Sequence, residues 1–272
     1  KRNYGYAKGY NIGLKKIKSD YIVLINNDVK VSENWLVPMF HSMEENNNIG
    51  SCQPKILSYE NKDSFEYAGA AGGYIDFLGY PYCRGRIFNT VELDNGQYDS
   101  EKEIFWSSGA CMMIRNKLFK KLGGFDQSFY AHMEEIDLCW RIQRVGLKNF
   151  CFPKKRVYHL GGGTLNYNNP KKTFLNFRNN LIMITKNEPL MSIIVKLPIR
   201  LFLDFFASIY LLIKNKSLIH FLEVIKAYIS FILKLPQLLF KRKRTKMNSI
   251  KMNKSIIPLE YYLRGKKRFS DL

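Results

Sequence analysis

The sequence is short of acid: 23 Asp and Glu stand against 43 Lys and Arg, giving 272 residues a formal net charge of +20. Such a balance disfavours cationic partners and favours anionic ones, namely nucleic acid, a phospholipid surface or a phosphorylated substrate. Cysteine is sparse too. Cys52, Cys83, Cys111, Cys139 and Cys151 are odd in number, widely spaced and free of any CxxC pair, which argues against a zinc site or disulfide framework and favours a reducing compartment. Cys111 and Cys139 have apolar neighbours and read as core fillers. No internal repeat is present. Between Pro189 and Phe240 the chain never reaches about 18 uncharged residues in a row, so a simple membrane-spanning helix is not expected there. The basic residues are not interleaved with aromatics, and nucleic acid drops out as a partner. The chain also starts at Lys1 without Met, on a loop, a helix and a buried strand with no first strand before them. The expectation is a fragment lacking its N-terminal part.

What is present begins with 46% hydrophobic residues, enough for one large core or for a domain with an appendage. "AKGYNIGLKKI" has helical spacing and leads into the apolar run Tyr21–Ile25, expected to be a strand buried on both faces of a mainly parallel sheet. "SENWLVPMFHSMEEN" predicts a helix with Ser32 as its N-cap. "IGSCQPKIL", "FWSSGACMMIRN" and "NFCFPKKRVYHLGGG" predict strands. Residues 58–104 read as long loops with short strands. "KLFKKLGGF" predicts a short helix closed by Gly123-Gly124, and "MEEIDLCWRIQRVG" a helix ended by Gly146. Alternating strands and helices predict an α/β sandwich.

Composition shifts after Asn187. Lys196, Arg200, Asp204 and Ser208 recur every four residues, and Glu223, Lys226, Ser230 and Lys234 every three or four. Each set makes one polar stripe on an otherwise apolar helix, with Pro198 and Pro236 marking starts or kinks. Such helices either pack on the preceding domain or lie in a bilayer interface. The second is the expectation adopted, because residues 241–272, opening on "KRKR", hold eleven Lys and Arg against Glu260 and Asp271 and suit an anionic membrane surface. The division expected is a catalytic domain over 1–187, amphipathic membrane-associated helices over 188–240 and a basic tail over 241–272.

Three stretches carry chemistry. The strand Tyr21–Ile25 ends on Asn26-Asn27-Asp28. Asn and Asp suit any turn, but in an open α/β sheet ligands bind beyond the carboxyl ends of strands. An acid there can hold Mg²⁺ or Mn²⁺ and, through it, a diphosphate. In "FYAHMEEIDLCWR", Glu134, Glu135 and Asp137 crowd together, so that at least one should have a raised pKa and suit a general base. The alternative is an acid-rich helix N-terminus with an Asp137–Arg141 ion pair. In "VYHLGGGT", His159 is a hydrogen-bonded core residue or a metal or phosphate contact. The three glycines after it permit close backbone approach to a ligand.

Taken in order, "NYGYAKGYNIG", "YIVLINNDVKVSENWL", "SSGACMMIRNKLFKKLGGFDQSFYAHMEEIDLCWRIQRVG" and "VYHLGGGT" resemble family 2 glycosyltransferases, especially rhamnosyltransferase-like members, over roughly residues 3–180. The resemblance implies a GT-A fold, a nucleotide-diphosphate sugar donor, Mg²⁺ or Mn²⁺, and inversion at the anomeric carbon. It sets Asn26-Asn27-Asp28 at the Asp-x-Asp-like motif, with Asn26 in place of the first acid and Asp28 as metal ligand. It sets Glu135 in the base position, where the family usually has Asp, with Glu134 beside it. His159 matches a metal- or diphosphate-contacting histidine, and Gly109-Ala110 the pair preceding the acceptor site. Trp106 is expected to line that site, and Arg178-Asn179 to approach the donor. The implied acceptor is a saccharide or lipid-linked saccharide, at the cytoplasmic face of a bacterial inner membrane. A non-catalytic scaffold of the same fold at the membrane is the alternative.

Overall fold

The computed structural model describes residues 3–161, 169–240, 242 and 252–272. In chain order the elements are α1 (Gly5–Leu14), β1 (Tyr21–Ile25), β2 (Val29–Val31), α2 (Val37–Glu45), β3 (Ile49–Ser58), β4 (Gly73–Ile75), β5 (Pro81–Cys83), β6 (Arg86–Ile87), β7 (Thr90–Val91), β8 (Lys102–Ile104), β9 (Cys111–Arg115), α3 (Asn116–Lys121), α4 (Glu134–Arg144), β10 (Lys148–His159), α5 (Pro170–Asn187), α6 (Leu190–Asn215), α7 (Leu218–Phe240) and α8 (Ile257–Tyr262). The α/β class is as expected, and the helices flank a central sheet of order β1-β9-β3-β10-β2, with β8 also on β10. A small second sheet runs β4-β5-β6-β7.

The mainly parallel pairing does not hold. Only β3 and β10 run parallel, and β1–β9, β3–β9, β10–β2 and β10–β8 are antiparallel among the described residues. Among the described residues, β1 pairs with β9 alone, and it alternates in burial, hiding Ile22 and Leu24. An apolar run is thus compatible with an edge strand whose second face is half covered. Strand periodicity sorts β9 between the two sides of the sheet. Met112 and Ile114 join Leu138, Trp140 and Ile142 of α4, while Met113 joins Met39 and Met43 of α2. Cys111 and Cys139 are buried free thiols, as are the other three cysteines. Ser32 does not cap α2. Its hydroxyl donates to the Arg156 carbonyl, and the helix begins at Val37 behind Leu36.

The C-terminal helices overturn a simple amphipathic picture. Pro198 and Pro236 lie inside α6 and α7 rather than at their starts. The stripe Lys196, Arg200, Asp204 and Ser208 is buried, so α6 packs on the body through its polar side. Arg200 donates through Nη1 to Asn180 Oδ1 of α5 (2.6 Å) and the Leu78 carbonyl (3.1 Å) and through Nη2 to Asp204 Oδ2 (3.1 Å). Its guanidinium lies 3.6 Å from the Tyr80 ring centroid. Asp204 also accepts from the Tyr80 and Tyr228 hydroxyls, both at 2.6 Å. Lys196 pairs with Glu188. On α7 it is His220, Val224, Ala227 and Phe231 that face inward, and Lys226 of its polar stripe is exposed. Most of the "KRKR" stretch lies outside the described residues; Arg242 donates to the Thr185 carbonyl at 2.8 Å.

Removing one partner from a buried ion pair leaves the other uncompensated. Asp204→Ala should therefore lower the unfolding free energy by about 3–5 kcal/mol in chemical denaturation. A loss within experimental error would show that the network does not hold α6 to the body.

Candidate functional site

The end of β1 is fixed from two directions. Asn26 N–H donates to the Ala110 carbonyl (3.0 Å), and Val29 N–H to the Asn26 carbonyl (3.2 Å), closing the turn that starts β2. Because β2 pairs with the last residues of β10, Val29 stands opposite His159, and Leu160 N–H donates to the Asp28 carbonyl (3.1 Å). The Asp28 side chain comes to rest with Oδ1 at 3.2 Å from His159 Nε2. Asn26 Nδ2 is 3.4 Å from the same nitrogen. On the other side of the ring, His159 Nδ1 is 3.4 Å from Glu66 Oε2, in a buried carboxylate. Burial works against a charged imidazole here, but Glu66 and then Asp28 outweigh it and raise the His159 pKa above its ordinary value. Asn27 is exposed beside the turn. Of the glycines after His159, only Gly161 is described; Gly162 and Gly163 lie outside the described residues.

Asp28 and His159 suit a divalent ion. Their 3.2 Å separation is close to the ~3 Å between neighbouring vertices of an octahedron with ~2.1 Å bonds. Apart from this contact with His159, Asp28 Oδ1 has no hydrogen-bond partner among the described residues. Among the described residues, no group of three or more His, Cys, Asp or Glu gathers as a metal cage there. The remaining positions would fall to substrate oxygens and water, as is usual for Mg²⁺.

The carboxylates of α4 are presented by an unusual entry loop. Tyr130, His132 and Met133 have φ of 66°, 69° and 74°, a region that costs side-chain-bearing residues about 1–2 kcal/mol each. Asn179 of α5 offsets this by donating through Nδ2 to the carbonyls of Phe129, Ala131 and His132 at 2.8–2.9 Å. Arg178 is spent on the same loop. It donates to the Ser128 and Phe129 carbonyls at 3.2 and 3.3 Å and to Asn179 Oδ1. Glu134 is buried, Glu135 partly so, and one oxygen of each lacks a hydrogen-bond partner among the described residues. Burial raises Glu135 to about 7. Burial and then the neighbouring Glu135 charge push Glu134 well above the carboxylate range. His132, with Nε2 likewise unpartnered, is lowered to about 4 by burial and then Lys172.

Gly109 lies against Tyr6 and Glu135. A Cβ there would stand 2.8 Å from the Tyr6 hydroxyl and 3.7 Å from Glu135 Cβ, so only glycine allows this approach. Tyr6 donates to the Gly109 carbonyl at 2.6 Å. Ala110 accepts from Asn26 N–H, so the Gly109–Ala110 pair adjoins both the end of β1 and Glu135.

Two expected site residues stand elsewhere. Asp137 is buried and fully engaged by Arg141 (2.8 Å), Lys186 (3.0 Å) and Asn187 (2.8 Å). Burial alone would raise its pKa, but Lys186 and Arg141 lower it, so it is an anchor and not a proton acceptor. Trp106 belongs to the core. A Cβ on residue 73 would come 1.9 Å from its ring, and its indole N–H donates to the Tyr74 carbonyl. Glu66 and Tyr6 were not singled out as site residues from the sequence, and their partners lie 93 and 103 residues away. Asn179, expected with Arg178 to approach the donor, instead holds the loop before Glu134.

Residues 1–123 match the family model described as Glycosyl transferase family 2. Among curated proteins, the chain is 22% identical over 186 residues to a low-salt glycan biosynthesis hexosyltransferase of Haloferax volcanii, covering 66% of this chain and 57% of that one. It is 25% identical over 147 residues to an N-acetylglucosaminyl-diphospho-decaprenol L-rhamnosyltransferase of Mycobacterium tuberculosis, covering 52% and 47%. A rhamnosyltransferase of Escherichia coli K12 is 23% identical over 163 residues, covering 57% and 61%. The matches therefore span about half the length of these relatives. Among solved structures, the chain is similar to GalNAc-T7 with UDP, GalNAc and Mn²⁺ (18% identity, 68% of this chain, 35% of that chain, TM-score 0.49). A mannosyltransferase of Pyrobaculum calidifontis with GDP-Man and Mn²⁺ gives 11% identity, 84% and 66% coverage, and a TM-score of 0.42.

If Glu66 raises the His159 pKa, Glu66→Gln should lower the midpoint of the His159 ring signals in an NMR titration. An unmoved midpoint would separate the two residues.

Proposed function

Since residues 1–123 match the family model of glycosyl transferase family 2, we propose that the chain transfers a hexosyl group from a nucleotide-diphosphate sugar to a saccharide or lipid-linked saccharide hydroxyl, with inversion at the anomeric carbon. One observation carries this above the others. An acid with its pKa lifted to about 7 lies beside Gly109, whose neighbour Ala110 accepts from Asn26 N–H at the end of β1. A base of that strength is matched to neutral pH.

In this scheme Glu135 takes the proton of the acceptor hydroxyl. The oxygen forms its bond to the anomeric carbon from the face opposite the diphosphate, whose bond to that carbon breaks. Glu134, which keeps its proton, leaves Glu135 as the single negative charge of the pair. A Mg²⁺ or Mn²⁺ ion, when bound at Asp28 and His159, would supply positive charge against the diphosphate. Asn26 and Asn27 flank the donor side, and Gly109 and Ala110 the acceptor side. Arg178 acts through the loop that presents the base. Two relatives are named rhamnosyltransferases and one a hexosyltransferase, so deoxythymidine-diphosphate rhamnose is the first donor to test and uridine-diphosphate hexoses are next. The acceptor named for the mycobacterial relative is lipid-linked, which suits peripheral attachment at the cytoplasmic face of a bacterial inner membrane.

Glu135→Gln should abolish transfer, by more than ~100-fold, while donor binding in calorimetry persists; equal turnover would remove Glu135 from the role. Because the base must be deprotonated, the wild-type rate should fall as pH drops below about 7, and a rate flat from pH 5 to 8 would contradict the assignment. Asp28→Ala should weaken Mn²⁺-dependent binding of the donor. An unchanged metal titration would leave Asp28 as a turn residue only.

A further inference from the structure

We propose that the outward face of α6 and α7 is a membrane-docking surface, built to lie in the headgroup–acyl boundary of an anionic bilayer. A helix on a water-soluble protein turns its apolar side inward. The helix α6 does the reverse. Its three charges between Leu190 and Ile213, namely Lys196, Arg200 and Asp204, are all buried against the body. Every exposed residue in that span is apolar, apart from the hydroxyl of Tyr210. Met191 is 74% exposed, Phe202 63% and Ile213 71%. Of the large apolar residues exposed in the described chain, eleven are on α6 and nine on α7, against fifteen on all the rest. A patch so concentrated is far beyond the scattered apolar residues of an ordinary surface.

The face cannot be turned over to hide these residues. Arg200 and Asp204 are locked to Asn180, Leu78, Tyr80 and Tyr228, and rotating α6 would leave buried charges unpaired. Nor does the hairpin cross a membrane, since no described helix is long and apolar enough to do so. What fits is an in-plane helix pair, with its polar side held by protein instead of water.

Charge selects the occupant. Lys214 and Lys216 stand exposed where α6 meets α7, whereas Lys226, further along α7, pairs with Glu223 at 2.7 Å. Lys226 and Lys234 flank Ile229, Ser230 and Leu233 around a shallow hollow of about 310 Å³. A second copy of this chain would bring the same lysines against them, whereas anionic lipid neutralises them. The inference deepens the membrane location proposed above, but its test needs no turnover.

The full chain is sedimented with vesicles of phosphatidylcholine, alone or mixed with phosphatidylglycerol. The wild type should sediment with the mixed vesicles and less with the neutral ones. Phe202→Asp with Phe206→Asp, both exposed and remote from the proposed site residues, should reduce the bound fraction ~10-fold or more at unchanged circular dichroism. Ile229→Asp with Leu233→Asp should do the same from α7, in case the first pair disturbs folding. A wild type that stays in the supernatant overturns the proposal, as does a charged double variant that sediments as well as the wild type. A wild-type dimer that ignores vesicles and is split by the Phe substitutions would assign the face to a second copy instead. Glu135→Gln should sediment like the wild type, and a chain that transfers sugar in solution yet ignores vesicles would sink the docking surface alone.

Discussion

A charge taken out of water must meet an opposite charge or give up its ionisation, and this one constraint governs the three most informative parts of the structure. Asp137 meets Arg141, Lys186 and Asn187 and stays ionised. Asp204 meets Arg200 and two tyrosine hydroxyls, and so fixes α6 with its polar side inward. Glu134 and Glu135, one turn or less from Asp137 on the same helix, are given no such partner and are raised instead. The difference between an anchor and a base on α4 is therefore a difference in what faces each carboxylate, not in residue type.

The fold supplies those faces from far apart in the chain. The long strand β10 carries His159 to the end of β1 by pairing with both β3 and β2, which puts an imidazole beside Asp28. The short strand β9 lies between β1 and β3 and delivers Gly109–Ala110 to the same edge. Helix α5 then braces two distant features with neighbouring residues. Asn179 holds the left-handed loop before Glu134, and Asn180 accepts from Arg200 of α6. The outward apolar helices and the loop presenting the base are thereby tied to one rigid element.

Local pattern made much of this legible. The apolar run Tyr21–Ile25 gave the strand at its observed bounds, and the acid cluster and the histidine before the glycines marked the neighbourhood that the fold assembles. What the sequence could not carry was direction. A stripe at four-residue spacing says that α6 has a polar side, but whether that side meets water, lipid or protein depends on Tyr80 and Asn180, far off in the chain. The same limit hid Glu66 behind His159. Trp106, expected from the resemblance to line the acceptor site, fills the space over Gly73 instead. Asp137 looked equivalent to its neighbours until Lys186 and Asn187 came round on α5. Sheet pairing failed for a related reason, since a strand apolar throughout can sit at an edge when a helix half covers its second face.

The central claim is that Glu135 is a partly buried, unpaired acid while Asp137 is a buried, paired one. Infrared difference spectroscopy of the carboxyl stretch against pH, wild type minus Glu135→Gln, measures this without substrate or turnover. A protonated carboxyl band belonging to Glu135 should persist until it titrates near pH 7, with no matching band lost in Asp137→Asn. A Glu135 band that disappears in the ordinary carboxylate range near pH 4 would contradict the account.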